Sequence, residues 1–301
     1  MQTGGFVGGN HLYNSTIKTA KTESYSISVD NKIINANEAG YADNIVINVI
    51  NTIYDPAIAP APEATILSTP LSTETVSYVI NKNTIEVGVT QSFSKTTTNK
   101  FSYYYGMQSM FVDENYVIAP GTQQYYDWTL VDNSTQLISR KNETTNFNRF
   151  IEKSTTKQTY QSSYLNTAFG LGKRTNTLDT NIIFSRSYAK IYHTVLAVPI
   201  DIAGKTLQWN GSYTFFKVPL LDSEFILAYQ GTIRGKDAIF INSKKAFNGS
   251  IPVPSELALK RIQIIENNGF VNEEGLTTFE LGGNGIYVSC ASNASIIILF
   301  I

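Results

Sequence analysis

From Thr84 to Met107 polar and apolar residues alternate almost without interruption, and this pattern restricts what the chain can become. Ile85, Val87, Val89, Phe93, Phe101, Tyr103, Tyr105 and Met107 share one parity. Thr84, Glu86, Thr90, Ser92, Ser94, Thr96, Thr98, Lys100 and Ser102 share the other. Successive side chains of a strand point to opposite faces, so the segment predicts a sheet with one apolar and one wet face. It is longer than the usual strand of about five or six residues, which implies very long strands or a hairpin turning near Thr97-Thr98-Asn99. The rest of the 301-residue chain is also rich in Thr, Ser, Asn and Tyr, with β-branched and aromatic residues among small polar ones. Helical periodicity occurs at Ala36 to Ile53 and at Ser255 to Glu266, where Leu257, Leu259, Ile262 and Ile265 recur, and both segments also fit buried strands. The expectation is an all-β fold with minor α content.

Composition removes several function classes. With 42% hydrophobic and 16% charged residues the chain is neither disordered nor a coiled coil. A net charge of -1 and scattered basic residues supply no positive field for nucleic acid. One cysteine, Cys290, makes no internal disulfide, and His11 and His193 form no zinc-spaced cluster, so neither metal nor cofactor is expected. The N-terminus lacks the basic and apolar regions of a secretion signal. The apolar run Ile296 to Ile301 is far shorter than the roughly 20 residues of a spanning helix.

Catalytic patterns are absent. There is no Gly-x-Ser-x-Gly elbow and no phosphate loop, and Gly282-Gly283-Asn284-Gly285 and Gly170-Leu171-Gly172-Lys173 read as turns. Asp113-Glu114 and Glu273-Glu274 are adjacent acids that point to opposite faces of a strand, which denies them a shared substrate. His193 reads as a partnered sheet histidine. Asn-x-Ser/Thr sequons begin at Asn14, Asn133, Asn142, Asn210, Asn248 and Asn293, mostly by chance in so Asn- and Thr-rich a chain. The sequence reading is therefore of a chain that is not an enzyme.

The stretch Asp55 to Glu63 holds Pro56, Pro60 and Pro62, which deny donors to a sheet and read as a linker. It divides a variable, receptor-binding region (1-62) from a long β region (63-301). Within the latter, residues 152-187 read as one hairpin with two Ser/Thr-rich arms. The first arm carries Thr156, Lys157, Tyr160, Tyr164 and Phe169. Gly170, Gly172, Lys173 and Arg174 form the tip. In the second arm Leu178, Ile182 and Phe184 share one parity while Asp179 and Asn181 share the other, the dyad pattern of a strand with lipid on one side and water on the other. Each arm has about the ten residues that cross a membrane in a tilted strand. An exposed soluble hairpin fits the same pattern.

From here to the C-terminus the order of features resembles the aerolysin-type β-pore-forming toxins, of the epsilon-toxin and mosquitocidal-toxin branch. The resemblance covers about residues 146-301. It is carried by the Ser/Thr-rich segment placed before Ala197-Val198-Pro199-Ile200-Asp201-Ile202-Ala203-Gly204-Lys205-Thr206, then by Tyr213 to Val218, Phe225 to Gly235 and Asn272 to Gly285. Ile200-Asp201 departs from the family pattern, and the chain stops soon after the final strand.

The resemblance implies an elongated aerolysin-like fold and a pore-forming cytolysin. Such a protein is secreted or deposited as a bacterial inclusion (a pesticidal crystal protein), binds a protein or glycan receptor, assembles into a ring of seven or eight and inserts a β-barrel in the target-cell plasma membrane. Insertion must follow assembly, because a lone hairpin in lipid leaves its strand edges unsatisfied at several kcal/mol per group. Lys157, Gln161, Asp179 and Asn181 would then line the lumen, with Tyr160, Tyr164, Leu178, Ile182 and Phe184 toward lipid. Tyr103, Tyr104, Tyr105, Tyr116, Tyr125, Tyr126 and Trp128 concentrate aromatics suited to receptor or interfacial contact. The alternative reading is an adhesin, or a phage or viral receptor-binding or capsid protein.

Overall fold

The computed structural model describes residues 12–14, 16–35, 37–97, 100–101, 104–110, 115–119, 124–127, 135–139, 147–154, 159–166, 180–185, 190–196, 200–268, 280–282, 285–292 and 294–301. Among these residues there is no helix, and every pairing between named strands is antiparallel, which makes the fold all-β. The largest sheet has ten strands. In spatial order they are β2 (Lys32–Ile34), β1 (Ala20–Val29), β3 (Asn44–Tyr54), β4 (Pro70–Asn81), β5 (Thr84–Phe93), β16 (Thr206–Phe216), β12 (Tyr160–Asn166), β11 (Phe147–Ser154), β8 (Asn115–Ala119) and β9 (Gln124–Asp127). A four-stranded sheet orders β10 (Thr135–Ser139), β13 (Thr180–Ser185), β14 (Lys190–Leu196) and β7 (Tyr104–Met110). A short pair joins β15 (Ile200–Asp201) to β6 (Lys100–Phe101).

The C-terminal part is a two-layer sandwich. Its five-stranded sheet runs β17 (Leu221–Asp222), β18 (Ile226–Ile233), β19 (Lys236–Ser243), β24 (Ser295–Phe300) and β21 (Ile262–Asn268). Its three-stranded sheet runs β20 (Phe247–Pro252), β23 (Gly285–Cys290) and β22 (Glu280–Gly282). Ile226, Ala228, Ile239, Ile241, Ile296, Ile298 and Phe300 pack on Ile251, Val253, Leu257, Ile286, Val288 and Cys290 between the layers. The other face of the same five-stranded sheet, through Leu227, Tyr229, Ala238, Phe240, Ile297 and Leu299, packs on Ile151 and Tyr160 of the long sheet. A strand buried on both faces favours apolar residues on both parities, as in the continuous apolar run Ile296 to Phe300.

The two segments with helical periodicity are strands where they are regular: β3 within Ala36 to Ile53, and β21 after a run of turns at 255–259. The Pro-rich stretch joins β3 to β4, which pair with each other from Asn44↔Asn81 to Tyr54↔Pro70. One sheet therefore continues across residue 62, with Asp55 anchoring the crossing through its N–H to the Thr69 carbonyl at 2.8 Å and its carboxylate to the Ala57 N–H at 2.9 Å. The long alternation starting at Thr84 is also divided. β5 pairs with β4 and β16, whereas β7 lies in the four-stranded sheet beside β14. In β5 the apolar parity faces the core, where Val87, Val89 and Phe93 meet Leu207 and Trp209 of β16.

Candidate functional site

Strand β12, at the heart of the segment that the sequence singles out, lies between two layers. Tyr160, Ser162 and Tyr164 face the C-terminal sandwich, and Gln161, Ser163 and Leu165 face the opposite way. On the sandwich side four rings form a continuous stack. Tyr160 lies 4.8 Å from Phe216, Phe216 lies 4.4 Å from Tyr229, and Tyr229 lies 5.0 Å from Phe240, all within 9° of parallel. Both phenols are tied, the Tyr160 hydroxyl donating to Asp222 at 2.6 Å and the Tyr229 hydroxyl meeting Ser162 Oγ at 2.5 Å. Asp222 also pairs with Lys153 at 3.3 Å and Lys244 at 3.0 Å. Burial alone would raise the Asp222 carboxyl, but the Tyr160, Lys244 and Lys153 contacts outweigh it and hold it below the usual range.

On the other side β7 packs against β12 and β16. Tyr104 and Met107 join the apolar core with Leu165 and Trp209, and the Trp209 ring N–H donates to the Tyr104 hydroxyl at 3.2 Å. A Cβ on Gly211 would fall 2.0 Å from Met107 Sδ and 2.8 Å from the Tyr164 carbonyl oxygen, so only glycine lets β7 approach this closely. Tyr213 reaches β7 through its hydroxyl, which donates to the Gln108 carbonyl at 2.8 Å. Further along, the seam becomes polar: Ser109 of β7 donates to the Glu152 carboxylate of β11, and the Gln161 amide donates to Ser109 Oγ at 2.6 Å. Glu152 is 3% exposed, and burial pushes its carboxyl up to about 7 despite the Ser109 hydroxyl.

The sequence-selected residues fall into different places. Tyr160 is buried in the ring stack and Tyr164 is half-buried. Thr156, Lys157, Phe169, Gly170, Gly172, Lys173, Arg174, Leu178 and Asp179 lie outside the described residues, as do Tyr103 and Trp128. Ile182 and Phe184 lie on β13, Tyr105 on β7, Tyr116 on β8, and Tyr125 and Tyr126 on β9. Tyr104, chosen as a receptor contact, is 3% exposed and belongs to the core, since alternation alone does not say which parity is covered.

Among the described residues the two arms of segment 152-187 pair with different partners. β12 pairs with β11 and β16, and β13 pairs with β10 and β14. Within the first arm Glu152 and Lys153 of β11 pair with Gln161 and Tyr160 of β12. Sequence reasoning passed over Ser109 and gave Glu152 only as the start of the segment. Their signal is spatial, a buried acid met by a hydroxyl from a strand more than forty residues away.

No protein-family model matches the chain, and no curated protein matches it. Among solved structures, the chain is similar to the GH36 α-galactosidase AgaA from Geobacillus stearothermophilus in complex with stachyose. That similarity has 9% identity and a TM-score of 0.40 over 67% of this chain and 28% of that one. It is also similar to the galactosidase domain of α-galactosidase-sucrose kinase, AgaSK, at 10% identity and a TM-score of 0.39, again over 67% and 28%. The matched part thus spans under a third of either galactosidase chain. Because both neighbours are enzymes, the sequence-based exclusion of enzyme activity is withdrawn, while a likeness this distant assigns no activity to the chain.

Proposed function

We propose that this chain permeabilises membranes by rebuilding part of residues 152-187 into a transmembrane β-hairpin within an oligomeric barrel. One observation carries the reading: β12 is buried on both faces, yet Gln161, Ser162 and Ser163 are 7%, 3% and 1% exposed. A strand covered on both sides ordinarily reads as an apolar run, as β24 does. Each of these three positions forgoes the about 1.5–3 kcal/mol that burying a Val, Ile or Leu side chain contributes. At these three positions the strand is held by pairing and polar contacts, which water or a lumen can replace. Its sequence conflicts with its surroundings in the way expected where a segment must serve two environments. The adjoining four-stranded sheet, which holds β13, meets the long sheet partly through the polar Ser109, Glu152 and Gln161 contacts, which supports release along that side.

The test is dye release from vesicles and target-cell membranes, with and without brief protease treatment. The variant carries Ser162→Cys with Thr214→Cys, which face each other across β12 and β16 and suit a cross-strand disulfide. Wild type should release dye, the oxidised variant should not, and reduction should restore release. Release that persists undiminished in the oxidised variant contradicts the use of β12. If neither release nor ring-shaped assemblies arise after protease treatment, the adhesin reading takes its place.

A further inference from the structure

We infer that the cleft beneath the β18–β19 turn is a binding site for an acidic saccharide. The cleft has a volume of about 450 Å³, within the range of small-ligand sites and roomy enough for a disaccharide. It opens where the C-terminal sandwich meets β5, β12 and β16, and Glu86, Tyr164, Asn210, Arg234, Lys236 and Gln263 line it. The site goes beyond the pore-forming reading and does not require it, although on that reading it would hold the receptor.

Three observations converge. The first is the turn itself, in which Arg234 and Gly235 have φ of 52° and 70° between the paired residues Ile233 and Lys236. Two-residue hairpins of this kind favour Asn-Gly or Asp-Gly, because a non-glycine side chain at positive φ is strained. Here an arginine occupies the strained position, and Glu86 holds it there. The Glu86 carboxylate accepts the Arg234 N–H at 2.6 Å, the Gly235 N–H at 2.9 Å and the Thr232 hydroxyl at 3.3 Å. Its charge is engaged by the turn, and the guanidinium is carried on a fixed backbone at the cleft.

The second observation is charge pairing. Lys82 and Lys260 share Asp237, Lys153 and Lys244 share Asp222, and Lys245 pairs with Glu224. The side chains of Arg234 and Lys236 form no ion pair among the described residues, although they lie within the same junction. A guanidinium beside an ammonium suits a carboxylate or sulfate, the former by its planar fork. The third observation is the rest of the lining: the half-buried Tyr164 offers an amphipathic ring, and the exposed Asn210 and Gln263 offer amide donors and acceptors. An anionic group attached to a polyhydroxylated ring matches all of these groups together, whereas a bare anion uses only the cations.

The experiment is titration calorimetry of the full chain, without any membrane, against 3′-sialyllactose, a heparin-derived tetrasaccharide, lactose and inorganic sulfate. At least one acidic saccharide should bind, with lactose and sulfate weaker by roughly tenfold or more. Arg234→Asn should weaken the acidic saccharide by a similar factor, as should Lys236→Gln. Because asparagine accepts positive φ, the Arg234→Asn protein should melt no lower than wild type, which separates lost binding from lost folding. The inference is overturned if neither acidic saccharide binds at millimolar concentration, if lactose or sulfate binds as tightly, or if Arg234→Asn binds like wild type. Dye release reports on pore formation alone, so either conclusion can fail while the other stands.

Discussion

Replacement of Tyr229 by alanine is expected to lower the unfolding free energy by about 3–5 kcal/mol, the range for truncating a buried aromatic side chain. Its ring is fully buried between Phe216 and Phe240, and these rings sit on opposite sides of the junction between the long sheet and the C-terminal sandwich. The loss combines the cavity, two broken stacking contacts worth about 0.5–1.5 kcal/mol each beyond their area, and a Ser162 hydroxyl left without its partner. Tyr229→Phe keeps the rings and removes only the hydroxyl contact, so it should cost about 1 kcal/mol. Urea unfolding midpoints of the three proteins measure both quantities. A loss in the alanine variant no larger than in the phenylalanine variant would mean that the stack does not hold the two parts together.

The second large effect is a dependence of stability on pH set by Glu152. Its carboxyl is raised from the ordinary 4.5 to about 7 by burial, so between these values the folded chain keeps a proton that the unfolded chain has released. The folded state binds more protons in that window, and stability must fall as pH rises through it. Each tenfold difference in proton affinity between the two states is worth about 1.4 kcal/mol, so the whole fall approaches about 3 kcal/mol. Below the window the penalty is absent, and above it the penalty is complete. Glu152→Gln keeps an amide within reach of Ser109 and removes the titration. Glu74, which burial also raises although the Asn51 amide opposes it, supplies a slope of the same sign that the variant retains. The difference in unfolding free energy between wild type and Glu152→Gln at pH 5 and pH 8 therefore isolates Glu152. Equal slopes in the two proteins would show that Glu152 binds its proton no more tightly in the folded chain than in the unfolded one.

Strand composition was readable from the chain, because the alternation of β-branched and aromatic residues with small polar ones has a local cause. Partners were not readable. The alternation in residues 180–185 predicts a strand, but nothing in those residues says that it lies between β10 and β14 and not against β12. The same holds for Pro56, Pro60 and Pro62, which mark a break in pairing yet cannot show that the strands on either side are neighbours. Ala36 to Ile53 fits a helix as well as a buried strand because its isoleucines and valines fall on both parities, a consequence of partial burial on both faces of β3. The Glu152, Ser109 and Gln161 cluster escaped the sequence reading because each residue is ordinary by itself and only the crossing of two sheets makes the acid costly.

The strand order of the ten-stranded sheet also governs the sequence of events during synthesis. β1, β3, β4 and β5 pair with neighbours close along the chain, so this meander closes through local connections whose entropy cost is small beside that of a long-range pairing. The next strand in the sheet is β16, and the contact of Thr84 with Thr214 spans 130 residues. Until that distant partner leaves the ribosome, the outer N–H and C=O groups of β5 remain an unpaired template. Folding of the central sheet is therefore limited by a long-range closure, and the nascent intermediate is exposed to self-association in the interval.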